Sequence, residues 1–192
     1  MKRALFLFTL LMAFAFSASA QGIAVGGTID DFSLPGIDGK THSLNSLKGK
    51  NGAVVMFLSA QCPVVKAYIE RINAVAADYK AKGITFIGIN SNVTEDLNWV
   101  KTDAEKNFAT FPMLIDKGNV LADKLGATVT PEAYYVDAKN ALLYHGAIDN
   151  DRSGKAISDT YLRTAFDQSL AGQKVANTRK NAFGCEIKRA AK

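Results

Sequence analysis

Apolar residues fall into two kinds of pattern along this chain of 192 residues. Ala53-Val54-Val55-Met56-Phe57-Leu58 and Ile84-Thr85-Phe86-Ile87-Gly88-Ile89-Asn90 are short, nearly continuous apolar runs, as expected of strands covered on both faces. Between them Val64, Val65, Tyr68, Ile69, Ile72, Val75, Ala76 and Tyr79 recur at helical spacing up to Lys82-Gly83, which predicts an amphipathic helix opened by Pro63. Strand, helix and strand with short joins form a right-handed parallel crossover. Residues 31–44 read as two extended pieces around a Gly-containing turn, and residues 94–108 as a helix capped by Thr94, with Leu97 and Val100 on one face. Residues 113–116 predict a short strand, and residues 120–125 a short helix closed by Gly126. Residues 133–137 and 141–146 predict a hairpin turning at Asp137-Ala138-Lys139-Asn140, and residues 158–170 a last helix ended by Gly172. The order predicts an α/β sandwich, a mixed central sheet of crossover strands and hairpin with helices on both faces.

Residues 1–20 follow a different rule. Lys2 and Arg3 precede a stretch from Ala4 to Phe16 broken only by Thr9, and Ala18-Ser19-Ala20 is a small-x-small cleavage pattern. The stretch falls short of the roughly 20 apolar residues that cross a bilayer, so it reads as a secretory signal peptide rather than a membrane anchor. No Cys follows it to carry a lipid. The expected organisation is a signal peptide at 1–20, one domain at 21–172 and a C-terminal tail at 173–192, with an exported, periplasmic location.

Composition then narrows the function. The formal net charge of +5 includes Lys2 and Arg3, so part of it belongs to the segment expected to be removed. The basic residues Lys174, Arg179, Lys180, Lys188 and Arg189 are accompanied by one aromatic, Phe183, and read as a solvated tail rather than a nucleic-acid surface. No later segment is long and apolar enough to span a membrane. His42 and His145 show no metal-ligand spacing with either cysteine, and no Gly-rich loop fit for nucleotide phosphates is present, so neither metal nor cofactor is expected.

The two cysteines, Cys62 and Cys185, carry the candidate chemistry. Cys62 ends a buried strand and opens a helix whose dipole and unpaired N–H groups favour a thiolate, lowering a pKa of about 8.5 into a range of roughly 3.5 to 7.5 at such sites. Pro63 fixes the first turn without an N–H of its own. That thiolate suits either disulfide exchange or peroxide attack, whereas a lone strand-end Cys can also be an inert core residue. Export places both cysteines where a disulfide persists, and a permanent bond between them would constrain the unfolded chain by roughly 4 to 5 kcal/mol.

At this point the chain resembles a known superfamily. Asp31-Phe32-Ser33-Leu34 with Gly36-Ile37-Asp38-Gly39-Lys40, then Leu47-Lys48-Gly49-Lys50, and Ser59-Ala60-Gln61-Cys62-Pro63 are similar to the thioredoxin-fold redoxins, which hold the AhpC/TSA peroxiredoxins and the exported thioredoxin-like reductases. Thr130-Pro131 resembles that family's cis-proline segment. The resemblance implies a thioredoxin-like fold in which Pro131 is cis, faces Cys62 and offers backbone groups to a substrate. It also makes Ser59, Pro63, Thr130 and Pro131 candidate substrate-binding residues. The departures are Val65 where a thioredoxin site has its second Cys, Gln61 where it has Trp, Val55 where a peroxiredoxin has Pro, and Pro131 near the place of the peroxide-activating Arg.

Three readings follow. Cys62 exchanges disulfides with a protein or small-molecule partner and Cys185, folding back on its mobile tail, resolves; or Cys62 is a peroxidatic thiol that condenses with Cys185; or the two form a structural staple in a non-catalytic module. The expectations for other residues are plainer: Ser59 bonds the sulfur or the backbone, Lys66 is a solvated helix lysine, Glu132 lies at the surface, residues 149–152 form a plain turn, and Trp99 packs. The oligomeric state is not legible from the chain.

Overall fold

The computed structural model describes residues 22–191; the signal-peptide reading of residues 1–20 lies outside the described residues. Among the described residues, ten strands and five α-helices follow one another in chain order: β1 (Ser33–Pro35), β2 (Thr41–Ser43), α1 (Leu44–Leu47), β3 (Ala53–Leu58), α2 (Pro63–Lys80), β4 (Thr85–Asn90), α3 (Leu97–Asn107), β5 (Met113–Ile115), α4 (Val120–Leu125), β6 (Val129–Thr130), β7 (Glu132–Val136), β8 (Leu142–Gly146), α5 (Tyr161–Leu170), β9 (Arg179–Lys180) and β10 (Cys185–Glu186).

The central sheet has the order β5-β4-β3-β7-β8-β9. β3, β4 and β5 are parallel, β7 is antiparallel to β3, and β8 antiparallel to β7. This is the mixed sheet the pattern predicts, an α/β thioredoxin-like fold. All six residues of β3 are buried. Because side chains alternate along a strand, Val54, Met56 and Leu58 enter the core under α2 and α5, while Ala53, Val55 and Phe57 enter the opposite core with Leu121 and Leu125. Each fully buried Val, Leu or Phe contributes roughly 1.5 to 3 kcal/mol of transfer free energy. The strand that ends at the candidate site is thereby clamped from both sides.

α2 follows its predicted face: Val64, Val65, Tyr68, Ile72, Val75, Ala76 and Tyr79 are buried, and Gly83 adopts a φ of +78° in the turn beyond the helix. Two helices begin later than the apolar spacing suggests. α3 starts at Leu97 with Asp96 as its cap, whose carboxylate accepts the amide of Trp99 at 2.9 Å. Thr94 and Glu95 are drawn instead toward the loop before Cys62. Leu97 is 54% exposed and Trp99 43%, so neither packs as expected; Val100 and Ala104 are the buried residues of this helix. α5 starts at Tyr161 because Asn150 ties up Ser158: its side chain accepts the amides of Ser158 and Asp159 and donates to the Ser158 hydroxyl.

The C-terminal segment is not the solvated, mobile tail expected from its lysines and arginines. β9 pairs in parallel with β8, β10 pairs antiparallel with β6, and Val175 and Ile187 are buried. The charges remain at the surface because only the apolar residues of the segment turn inward. Gly146 makes the close approach to β9 feasible: its φ is +135°, and a Cβ there would overlap the Lys180 carbonyl oxygen.

Candidate active site

β3 delivers the chain to Ser59-Ala60-Gln61, and Cys62 then caps α2 with Pro63 at the first helical position. Cys62 adopts extended φ and ψ angles of −75° and 116° and makes no side-chain cap hydrogen bond. The amides of Val64 and Val65 point out of the first turn with no intrahelical acceptor, and Pro63 has none to offer. The positive end of an 18-residue helix therefore lies at the sulfur.

Cys62 and Cys185 form a disulfide, with Cα atoms 5.8 Å apart. Strand pairing brings the second cysteine there: Cys185 is opposite Thr130 and Glu186 opposite Val129. The Thr130-Pro131 peptide is cis, in agreement with the resemblance. Cys62 Sγ lies 3.3 Å from the Thr130 carbonyl oxygen, a contact that becomes an S–H···O hydrogen bond only when the sulfur carries a proton. Cys62, Thr130, Pro131 and Cys185 thus converge. Cys62 is 1% exposed, while Cys185 is only partly buried.

Ser59 does not reach the sulfur. Its hydroxyl donates to Glu95 Oε1 at 2.5 Å, and the amides of Ala60 and Gln61 donate to the same carboxylate at 2.9 and 3.2 Å. Asn90 Nδ2 completes the set at 2.6 Å, and Gln61 Nε2 donates to Thr94 Oγ1 at 2.7 Å. Glu95 therefore organises the whole loop before Cys62. Neither its spacing nor its neighbours in the sequence distinguish it from a surface glutamate.

Glu132 is buried, not at the surface. Its Oε2 accepts the amides of Thr128 and Val129 at 2.8 and 3.3 Å, and its Oε1 lies 2.6 Å from His145 Nε2. The His145 ring stacks on Tyr134 with centroids 4.1 Å apart. The carboxylate supports β6 from behind, which anchors the strand that carries Thr130. Residues 149–152 are likewise more than a plain turn: buried Asp149 accepts the Tyr68 hydroxyl at 2.9 Å and Arg71 Nη1 at 2.7 Å. Burial and this neighbouring carboxylate raise the Tyr68 phenol well above its usual range. Lys66 is exposed, as expected. Among the described residues no three His, Cys, Asp or Glu side chains converge as a metal donor set, and no helix is long and apolar enough to cross a membrane.

A strand-loop-helix cysteine opposite a cis-proline segment, on a mixed sheet of this order, defines a thioredoxin-like redoxin. The model of the AhpC/TSA family matches residues 25–145, and the chain belongs to that family. It is similar to the thiol-disulfide oxidoreductase ResA of Geobacillus thermodenitrificans, with 27% identity over 159 residues and 83% of each chain covered. Among solved structures, a hypothetical protein from Sinorhizobium meliloti is 32% identical with a TM-score of 0.82, covering 90% of this chain and 98% of that one. An uncharacterized conserved protein from Geobacillus kaustophilus is 30% identical with a TM-score of 0.81, covering 88% and 94%.

Proposed function

We propose that this chain is an exported thiol-disulfide oxidoreductase in which Cys62 is the attacking thiol and Cys185 its resolving partner. The observation that carries the reading is the bond between a cysteine at a helix N-terminus and one held opposite Thr130, the residue before the cis-proline. The similarity to ResA, named for this activity, supports it.

Starting from the dithiol, the Cys62 thiolate attacks one sulfur of a substrate disulfide. The substrate's S–S bond breaks, a Cys62-to-substrate bond forms, and the other substrate sulfur leaves as a thiolate. Cys185 then attacks Cys62 Sγ, expels the second substrate thiolate and closes the internal disulfide; two electrons have passed to the substrate. For the return, an external thiolate attacks the more accessible Cys185. Cys62 is then the leaving group, and the helix terminus stabilises its charge, which speeds departure; a second external thiolate attacks the donor sulfur bonded to Cys185, expels Cys185 as a thiolate and leaves the donor as a disulfide, which restores the dithiol.

A peroxidase would use a hydroxyl and a cation at the sulfur. The Ser59 hydroxyl is committed to Glu95, and position 131 holds a proline. These features favour exchange over peroxide reduction. A permanent staple predicts a bond inert to dithiols, with a potential below about −300 mV.

Insulin-disulfide reduction separates the readings. Cys62→Ser is expected to abolish it, and Cys185→Ser to accumulate a mixed disulfide at Cys62. Insulin-disulfide reduction and peroxide consumption both unchanged in Cys62→Ser would sink both enzyme readings, whereas sulfenic acid trapped at Cys62 in Cys185→Ser after stoichiometric peroxide would favour the peroxidase. The pattern of residues 1–20 supports export; the mature protein is expected to begin at Gln21 when its N-terminus is sequenced from a periplasmic fraction.

A further inference from the structure

The segment that carries Cys185 does more than deliver a sulfur. It lies as an extended strand along β6: Cys185 pairs with Thr130, Glu186 with Val129, and the amide of Ile187 donates to the Thr128 carbonyl at 2.9 Å. Side chains alternate along it. Cys185 and Ile187 turn inward, Ile187 to 2% exposure, while Glu186 turns to solvent. On the other side of the cysteine, Gly184 lies so close to Thr130 that a Cβ would overlap its carbonyl oxygen. Phe183 packs its ring against Tyr68 of α2, with centroids 6.2 Å apart.

Resting on the exchange mechanism proposed above, we infer that residues 183–187 occupy the edge on which a partner's cysteine docks, and that the partner is an extended peptide segment of pattern aromatic, glycine, cysteine, any residue, aliphatic. The backbone groups of Val129 and Thr130 cannot pair with two strands at once, so partner and tail exclude one another. Besides the cysteine, one position of the pattern is steric, two are apolar and one is left free, the aromatic residue taking the place of Phe183 against Tyr68. Glycine is required by the Thr130 carbonyl, the aliphatic residue fills the buried seat of Ile187, and the residue between cysteine and aliphatic faces water. A small disulfide such as oxidised glutathione lacks the strand pairing and both apolar anchors. This is edge-strand recognition, in which main-chain hydrogen bonds supply affinity and alternate side chains supply selection.

The test uses the full chain carrying Cys185→Ser, with Cys62 reduced, and an eight-residue peptide copied from residues 181–188 whose cysteine is bonded to thionitrobenzoate. Cys62 attacks the peptide sulfur, a Cys62-to-peptide bond forms, and thionitrobenzoate leaves as a coloured thiolate carrying the electron pair. Rates are normalised to those with free glutathione as attacking thiol. The parent peptide is expected to react at least 10-fold faster than copies with valine in place of Gly184 or aspartate in place of Ile187. Equal rates for the three peptides, with Cys62 still reactive toward dithiobis(nitrobenzoate), overturn the inference and leave the exchange mechanism standing. Failure of Cys62 to react with any disulfide overturns the mechanism itself. In the double variant Cys185→Ser with Gly184→Val, the weakened tail is expected to admit the parent peptide several-fold faster; an unchanged rate argues against mutual exclusion.

Discussion

Gln61 donates its backbone N–H to Glu95 Oε1 at 3.2 Å, which places a buried carboxylate one residue from Cys62. The helix terminus and this carboxylate act on the sulfur in opposite senses. The first stabilises a thiolate; the second disfavours it and occupies two amides of the loop.

Glu95→Gln is accordingly expected to lower the Cys62 thiol pKa when measured in the Cys185→Ser background. Thiolate absorbance at 240 nm followed against pH reads it directly. An unchanged titration would mean that the carboxylate only shapes the loop. Glu95→Ala, which leaves Asn90 and two amides without their acceptor, should in addition cost about 3 kcal/mol of stability by denaturant unfolding.

Arg71 and Asp149 form a pair 2.7 Å apart that ties α2 to the loop after β8, and the guanidinium lies 3.5 Å over the Tyr68 ring. Arg71→Ala strands the carboxylate in the interior. A loss of about 3 kcal/mol is expected in guanidinium unfolding, because an unpaired buried charge costs far more than an exposed ion pair contributes. A loss below about 1 kcal/mol would show that water reaches Asp149.

Tyr79 donates its hydroxyl to Asp167 at 2.7 Å, and burial followed by this hydrogen bond pushes its phenol from 10 up to about 12. The unfolded chain releases the same proton near pH 10. The folded pKa is the higher, so the phenol's contribution to stability is fully present below pH 10 and is lost as pH rises from 10 through about 12. Tyr79→Phe should flatten the decline of stability across that window by about one proton. Chemical unfolding at a series of alkaline pH values measures the slope, and identical slopes for the two proteins would contradict the assignment.

The disulfide closes a sequence separation of 123 residues, for which loop entropy alone gives a stabilisation of about 4 to 5 kcal/mol. The reduced chain is therefore expected to unfold at a clearly lower guanidinium midpoint than the oxidised one, with the loss bounded by that figure. Paired unfolding curves with and without dithiothreitol test it; coincident midpoints would mean that the native tail docks equally well without the bond.

How much of this was readable in advance depended on the distance over which each cause acts. The β3 run, the buried stripe of α2, the helix-opening Pro63 and the left-handed Gly126 that closes α4 are local patterns, and the structure keeps each of them. Apolar spacing places the starts of α3 and α5 earlier than the fold does, because propensity is blind to Glu95 and Ser158 being drawn into other contacts. Trp99 shows the same limit: a tryptophan in a helix suggests packing, yet this one is 43% exposed.

The sequence by itself determined the class of architecture, the place of Cys62 at a strand-to-helix junction and the identity of the one cysteine that could join it, because periodicity, proline geometry and a count of two cysteines are properties of the chain alone. Only the tertiary structure decided that Ser59 faces Glu95 rather than the sulfur, that Glu132 and His145 meet behind β6, and that the basic tail is woven into the sheet edge opposite Thr130. Those outcomes turn on which polar groups lose water together when remote segments pack. A buried carboxylate must find its donors wherever the fold places them, and nothing in the spacing of one segment records the partners that another brings.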